Sequence, residues 1–308
     1  MKFLQSVAAA ILFICPAWAQ WQQDIPADIR EHYLDNDRVL SEEPCDWRQA
    51  VGDIFQPAVK DCRTAREAVL HIAANMTALT GTYYSAERRK QDMNALEALE
   101  EKKISCTGQT ILMVCAYRSV GIPARAVGIM TWNHVRGNHT WPEVWLDGEW
   151  HMIEFNEKDF NTGWVMENIG MLDPHHPWQK IVAQHPQGNG IFPVGDMRRT
   201  RIAAEDVTAR YRRLAADWYG KNGLPPDRQR LMLDVQPRSD KEQMVRLVSE
   251  DGSVLEERPL PTTRDDMRKF ATFSLPRTGN FHLLFPGNGK IPVQATQEPV
   301  RILRLRRR

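Results

Sequence analysis

Between residues 105 and 120 apolar side chains recur at helical spacing, and Ile111, Leu112, Val114, Cys115 and Val120 fit a helix with one buried face. Gly121 supplies a stop, and Pro123 cannot easily continue the helix. A short extended piece, 124–132, and a polar loop, 133–138, follow. The period then changes to two. Alternating runs at 139–146 and 149–154 flank Asp147-Gly148, a strong signal for a two-residue hairpin turn. Upstream, Ala68, Val69, Ile72 and Ala73 mark a helix over 64–79. The charged stretch 85–103 reads as a surface helix with Met93, Leu96 and Leu99 turned inward. Segment 20–58 is polar with scattered aromatic anchors. Segment 155–195 reads as irregular, a long excursion of the kind that covers or lines a site. A further helix is predicted over 202–219.

After Asn222-Gly223-Leu224-Pro225-Pro226, a linker signal, the pattern becomes that of short strands: 231–235, 244–248, 254–257, 270–275, 281–285 and 291–295. These suggest a small β-sandwich. The arginine-rich end, 301–308, reads as a solvated tail. The expectation is an α+β protein: a helix-and-antiparallel-sheet region over 20–222, then an all-β accessory domain over 226–308.

The first 19 residues change the cellular picture. Lys2, an apolar core and Ala17-Trp18-Ala19 make a signal peptide with an A-x-A cleavage site. The core is too short for a permanent membrane anchor. Ile14 before Cys15 is not the small residue that lipoprotein cleavage prefers. The expected location is secreted or periplasmic, with no integral membrane segment once the signal is removed. Of 40 basic and 39 acidic residues, only Lys2 lies in the signal, so the mature charge is near zero. That balance gives no reason to expect a nucleic-acid partner. In an oxidising compartment, Cys45 and Cys62 are expected to form a disulfide.

The stretch 105–154 carries the chemistry. Cys106 opens the helix, where free N–H groups and the macrodipole favour a thiolate. A thiolate attacks carbonyl carbon. Counting back from the Asp147-Gly148 turn pairs Leu146 with Glu149, Trp145 with Trp150, Glu143 with Met152 and Trp141 with Glu154, and sets His139 opposite Asn156. Residues two apart share a face, so His139, Glu154 and Asn156 gather at one end of the hairpin. Glu154 then orients and charge-stabilises His139 as the third member of a triad does. Asn156 and Glu157 remain alternatives for that place. Cys115 lies nine residues along the helix, about 13 Å away on the opposite face, beyond disulfide reach of Cys106. It reads as a buried core thiol. His134, His151, His175 and His176 show no metal-site spacing, and no metal or cofactor is expected. Trp132 is a candidate wall of an acyl site. Trp141, Trp145 and Trp150 read as core.

These residues resemble the transglutaminase-like superfamily of papain-type Cys-His-acid enzymes. The likeness rests on the helix-opening Cys106, Gly-Ile-Pro-Ala-Arg at 121–125, Asn-His-Thr-Trp-Pro-Glu-Val-Trp around His139 and the Asp-Gly turn. It covers about 60 residues, with Glu154 where the family usually has Asp. The resemblance implies a papain- or transglutaminase-like core and acyl transfer on amides of a protein or peptide substrate. The acceptor is water in a peptidase or amidase and an amine in a transferase. The other reading is an inactive transglutaminase-like binding module of the cell envelope.

Overall fold

The structure, a computed structural model, describes residues 21, 24–133, 137–173, 175–193, 201–265, 269–287 and 289–306. The proposed signal peptide, and His134, lie outside the described residues. In chain order the elements are α1 (Ala27–Tyr33), α2 (Arg48–Ala58), α3 (Ala65–Thr80), β1 (Tyr83–Tyr84), α4 (Ala95–Glu101), β2 (Lys103–Ile104), α5 (Cys106–Ser119), β3 (Ala124–Ile129), β4 (His139–Leu146) and β5 (Glu149–Met152). They continue as α6 (Gly163–Ile169), β6 (Ile181–Gln184), β7 (Gly190–Ile191), β8 (Ala203–Asp206) and α7 (Thr208–Lys221). The strands β9 (Arg228–Gln236), β10 (Met244–Ser249), β11 (Val254–Pro259), β12 (Ala271–Pro276), β13 (Asn280–Phe285), β14 (Gly289–Gln294) and β15 (Val300–Arg306) complete the chain. The architecture is α+β.

Helix α5 is the spine. Ser105 caps it, its hydroxyl accepting the Gly108 N–H at 2.9 Å. At the other end Gly121 takes φ 84°, and the Gly121 and Ile122 N–H groups return to Arg118 and Tyr117 carbonyls at 3.1 and 3.0 Å. A side chain there would be strained, so glycine ends the helix cleanly. The helix is buried on nearly every side rather than on one face. Even Arg118 is enclosed, because its guanidinium donates to the carbonyls of Tyr33, Asn36, Arg38 and Ala124. These bonds satisfy a buried cation and tie the loop after α1 to the spine.

The six-stranded sheet runs β5-β4-β3-β6-β8-β7, with antiparallel neighbours throughout. Alternation along its strands separates two cores. Ala124, Ala126, Val144 and Leu146 face α2, α3 and α5. Val127, Ile129 and Trp141 face α6 and α7. Past α7, the sheets β12-β9-β15 and β11-β10-β13-β14 share a separate core containing Leu231, Leu233, Leu247, Phe273 and Leu283. Tyr219, Leu224 and Val300 pack in a small cluster between α7 and this β region.

Several sequence expectations change. The polar segment 20–58 holds α1 and α2. Helix α4 starts only at Ala95, because Asn94 and Glu97 form a capping box, and the residues before it are irregular. The excursion 155–195 contains α6, β6 and β7, and 203–206 is strand β8 rather than the start of α7. The arginine-rich end is no loose tail up to Arg306. Leu303 and Leu305 pack on the β core, alternating with Arg304 and Arg306, and β15 lies parallel to β9. The expected Cys45–Cys62 disulfide is not made. Cys45 lies by the backbone of Ala95 and Leu96 at the start of α4, whereas Cys62 sits near Asp61 and Glu67 in the turn before α3. Among the described residues no helix is long and apolar enough to cross a membrane.

Candidate active site

The site forms where α5 begins and β4 begins. The α5 cap leaves Cys106 in the first turn, and Thr107 and Thr140 hydroxyls lie 3.4 Å apart behind it. Three influences meet at the thiol. Burial pushes its pKa up, but a hydrogen bond and charge attraction from His139 outweigh that, helped by the Thr140 and Thr107 backbone. The net shift is downward.

His139 is the first residue of β4, paired with Ile129 at the end of β3. Its Nε2 lies 2.6 Å from Glu154 Oε1, which leaves Nδ1 for the thiol. Burial disfavours the charged ring, yet the Glu154 carboxylate and the Cys106 thiol more than offset it and raise the pKa to about 10. The side chains of His139 and Glu154 keep 18% and 17% of their surface exposed, so the pair is open to a substrate.

The hairpin register of Leu146, Trp145 and Glu143 against Glu149, Trp150 and Met152 agrees with the count from the turn. The ladder does not extend to Trp141 and Glu154. Ile153 donates to the Pro142 carbonyl at 3.3 Å, and proline has no N–H to return. Asn161 takes over the backbone of Met152, its Oδ1 accepting the Met152 N–H at 3.1 Å and its N–H reaching the Met152 carbonyl at 3.0 Å. Glu154 meets His139 from this turn, not from a paired strand.

Asn156 lines the cleft with His139, but its side chain bonds Thr77 and not the ring. It adopts φ 62°, its N–H bonds the Ala73 carbonyl at 2.9 Å, and its amide donates to Thr77 Oγ1 at 3.0 Å. The strand that would have set it opposite His139 has already ended. Glu157 packs against Gly163 at the start of α6. Burial first, then the nearby Glu154 charge, raises its pKa.

Three tryptophans frame the imidazole: Trp132 at 6.3 Å between ring centroids, Trp141 at 5.7 Å and nearly parallel, and Trp164 at 5.2 Å edge-on. Cys106, His139 and Glu154 open onto a cleft of about 470 Å³, whose walls include Tyr83, Tyr84, Gln109, Trp132 and Trp164. Sequence reasoning identified Trp132 by name and the 155–195 excursion that carries Trp164 as a lining segment, but missed Tyr83, Tyr84 and Gln109. Two adjacent tyrosines in Gly81-Thr82-Tyr83-Tyr84, between α3 and α4, were the available signal. Trp141, read as plain core, is buried but stacks on His139. Cys115 is buried away from the cleft, and burial raises its pKa. His151 packs against Phe160 at 5.4 Å, and His175 and His176 belong to a turn closed by Asp173 and Trp178.

Residues 52–155 match the family model of the transglutaminase-like superfamily, a segment that includes Cys106, His139 and Glu154. That segment is a transglutaminase-like domain. Among curated proteins no significant match exists. Among solved structures, a putative cysteine protease from Cytophaga hutchinsonii is similar at 16% identity and TM-score 0.32, covering 38% of this chain and 40% of that one. Red sea bream transglutaminase is similar at 12% identity and TM-score 0.38, covering 87% of this chain and 63% of that one. The chain therefore spans less than two thirds of either neighbour's length. The matched segment stops short of α6 and α7, which supply Trp164 and the packing behind Trp141.

Proposed function

We propose that the protein is a secreted thiol enzyme that transfers the acyl group of an amide in a protein or peptide substrate. Cys106 is the nucleophile, His139 the proton carrier and Glu154 the carboxylate that holds the imidazole. The observation that carries this reading is the His139–Glu154 contact at 2.6 Å, with the Cys106 thiol as the ring's other partner. His139 takes the Sγ proton and the thiolate adds to the amide carbonyl. The C–N bond breaks as His139 returns the proton to the leaving nitrogen, which leaves a thioester on Cys106. Water or an amine then attacks the thioester, passes its proton to His139 and restores the thiol. The Cys106 N–H, free at the helix start, is the oxyanion donor we assign.

The chemistry is common to a hydrolase and a cross-linking transferase, and the transglutaminase-like match supports both. Residues 1–19 are proposed to direct export to the periplasm or beyond, with 226–308 as an accessory β domain.

The test is incubation of the mature protein with amide-bearing peptides and a labelled primary amine. Release of ammonia or a peptide amine, with a thioester trapped on Cys106 and both lost in Cys106→Ala, supports the reading. Label incorporation separates transfer from hydrolysis. Equal behaviour of wild type and Cys106→Ala favours the inactive binding module.

A further inference from the structure

The imidazole has a second support that the triad does not explain. Trp141 stacks on His139 with ring centroids 5.7 Å apart and an interplanar angle of 29°. Trp141 is fully buried, so its indole N–H needs a partner. That partner is Tyr211 on α7, whose hydroxyl accepts the N–H at 2.7 Å. The same hydroxyl donates to Glu143 Oε1 at 2.7 Å. Glu143, two residues beyond Trp141 on the same face of β4, is fully buried and also pairs with Arg210 and, at 3.0 Å, with Arg125. A chain of hydrogen bonds thus runs from a fixed carboxylate to an indole whose π face lies on the catalytic ring. Donation from the indole to a hydroxyl that itself donates to a carboxylate makes the indole more electron-rich. An electron-rich face attracts an imidazolium more than a neutral imidazole.

We propose that Tyr211 is a positioning residue that fixes the plane of Trp141 and, through that stack, favours the imidazolium form of His139. The inference rests on the reading of Cys106 and His139 as a reactive couple. It places part of the machinery outside the transglutaminase-like segment 52–155. Among the described residues the following charged and titratable groups surround the ring, with Tyr83 and Tyr84 on the wall of the same cleft. Cys106 faces it from α5, and Glu154 faces it from the turn after β5 with Glu157 behind. Tyr211 and Arg210 on α7, Glu143 on β4 and Arg125 on β3 act at one remove through Trp141.

A purely structural role for Tyr211 would lower stability and leave the titration of the couple alone. The experiment therefore measures Cys106 alkylation by iodoacetamide against pH, together with the melting temperature, in wild type, Tyr211→Phe and Tyr219→Phe. Tyr219 is the control, a buried tyrosine on the same helix whose hydroxyl donates to the Glu167 carbonyl at 2.7 Å. In Tyr211→Phe the half-point of alkylation moves up by about half a pH unit, which makes labelling on the acid side about threefold slower. In Tyr219→Phe the melting temperature falls and the half-point stays. If Tyr211→Phe does not fold, Trp141→Phe, which removes the N–H that needs a partner, carries the same expectation. A lowered melting temperature with an unmoved half-point in the folded variant overturns the proposal. An ordinary thiol titration of Cys106 in the wild type instead overturns the couple itself, so the two failures are distinguishable.

Discussion

The first turn and the middle of α5 each carry a cysteine, and their surroundings drive the two thiols in opposite directions. Burial raises the pKa of both. At Cys115 the Arg118 charge opposes burial without reversing it, and the thiol stays protonated in the apolar interior. At Cys106 the His139 ring and backbone N–H groups reverse the sign. Position in the helix contributes too, since free N–H groups exist only in the first turn. Reactivity here follows from what faces the sulfur and not from how deeply it lies.

The largest expected effect comes from removing what makes the first turn different. Glu154→Gln should lower turnover by about four powers of ten, as amide replacement of a triad acid does. The sign follows from the electrostatics. Without the carboxylate the imidazolium loses its proton at lower pH, so the window in which a charged His139 stands beside the thiolate narrows from the alkaline side. Glu157→Gln, whose carboxylate packs against Gly163, should stay close to wild type in the same assay. A large loss in Glu157→Gln with none in Glu154→Gln would show that the acid is misassigned.

Next comes the buried support behind His139. Glu143→Ala leaves Arg125 and Arg210 without their shared carboxylate and should cost about 3–5 kcal/mol in chemical denaturation. Asn156→Ala should act on stability rather than chemistry. It breaks the bonds to Thr77 at a left-handed residue and should cost about 1–3 kcal/mol, with alkylation of Cys106 unchanged. The smallest effect sharpens the comparison from the other side. Cys115→Ala should cost about 1 kcal/mol for the space left in the core and leave Cys106 labelling as it was.

Much of this arrangement was legible in the residues. Ser105, Cys106 and Gly121 encode the helix and its ends in local chemistry, and Asp147-Gly148 sets the hairpin register as counted. The count failed beyond Met152 because Pro142 cannot donate the ladder bond that would hold Ile153, and Asn161 intercepts the Met152 backbone. Alternation therefore misplaced Asn156, although the His139–Glu154 approach survives through a turn. Helices α1 and α2 were hidden by polar composition, since only Ile29, Tyr33, Val51, Gly52 and Phe55 turn inward. Strand β15 was hidden by its arginines, which alternate with packed leucines. Of the tryptophan frame only Trp132 was readable as a wall of the site. Trp164 and Tyr211 reach His139 and Trp141 from 25 and 70 residues away in sequence, and no local pattern reports such a meeting.

The most direct test of the central claim is the alkylation rate of each cysteine against pH, read by peptide mass spectrometry on the folded mature protein. At about pH 6 an ordinary thiol is well under one per cent ionised. The account predicts that Cys106 is nonetheless modified there while Cys115 is not. Its rate should fall only as pH drops through the depressed thiol pKa, and change again as pH rises through about 10, where His139 loses its proton. A Cys106 profile that follows an ordinary thiol, and that is unaltered by Glu154→Gln, would contradict it.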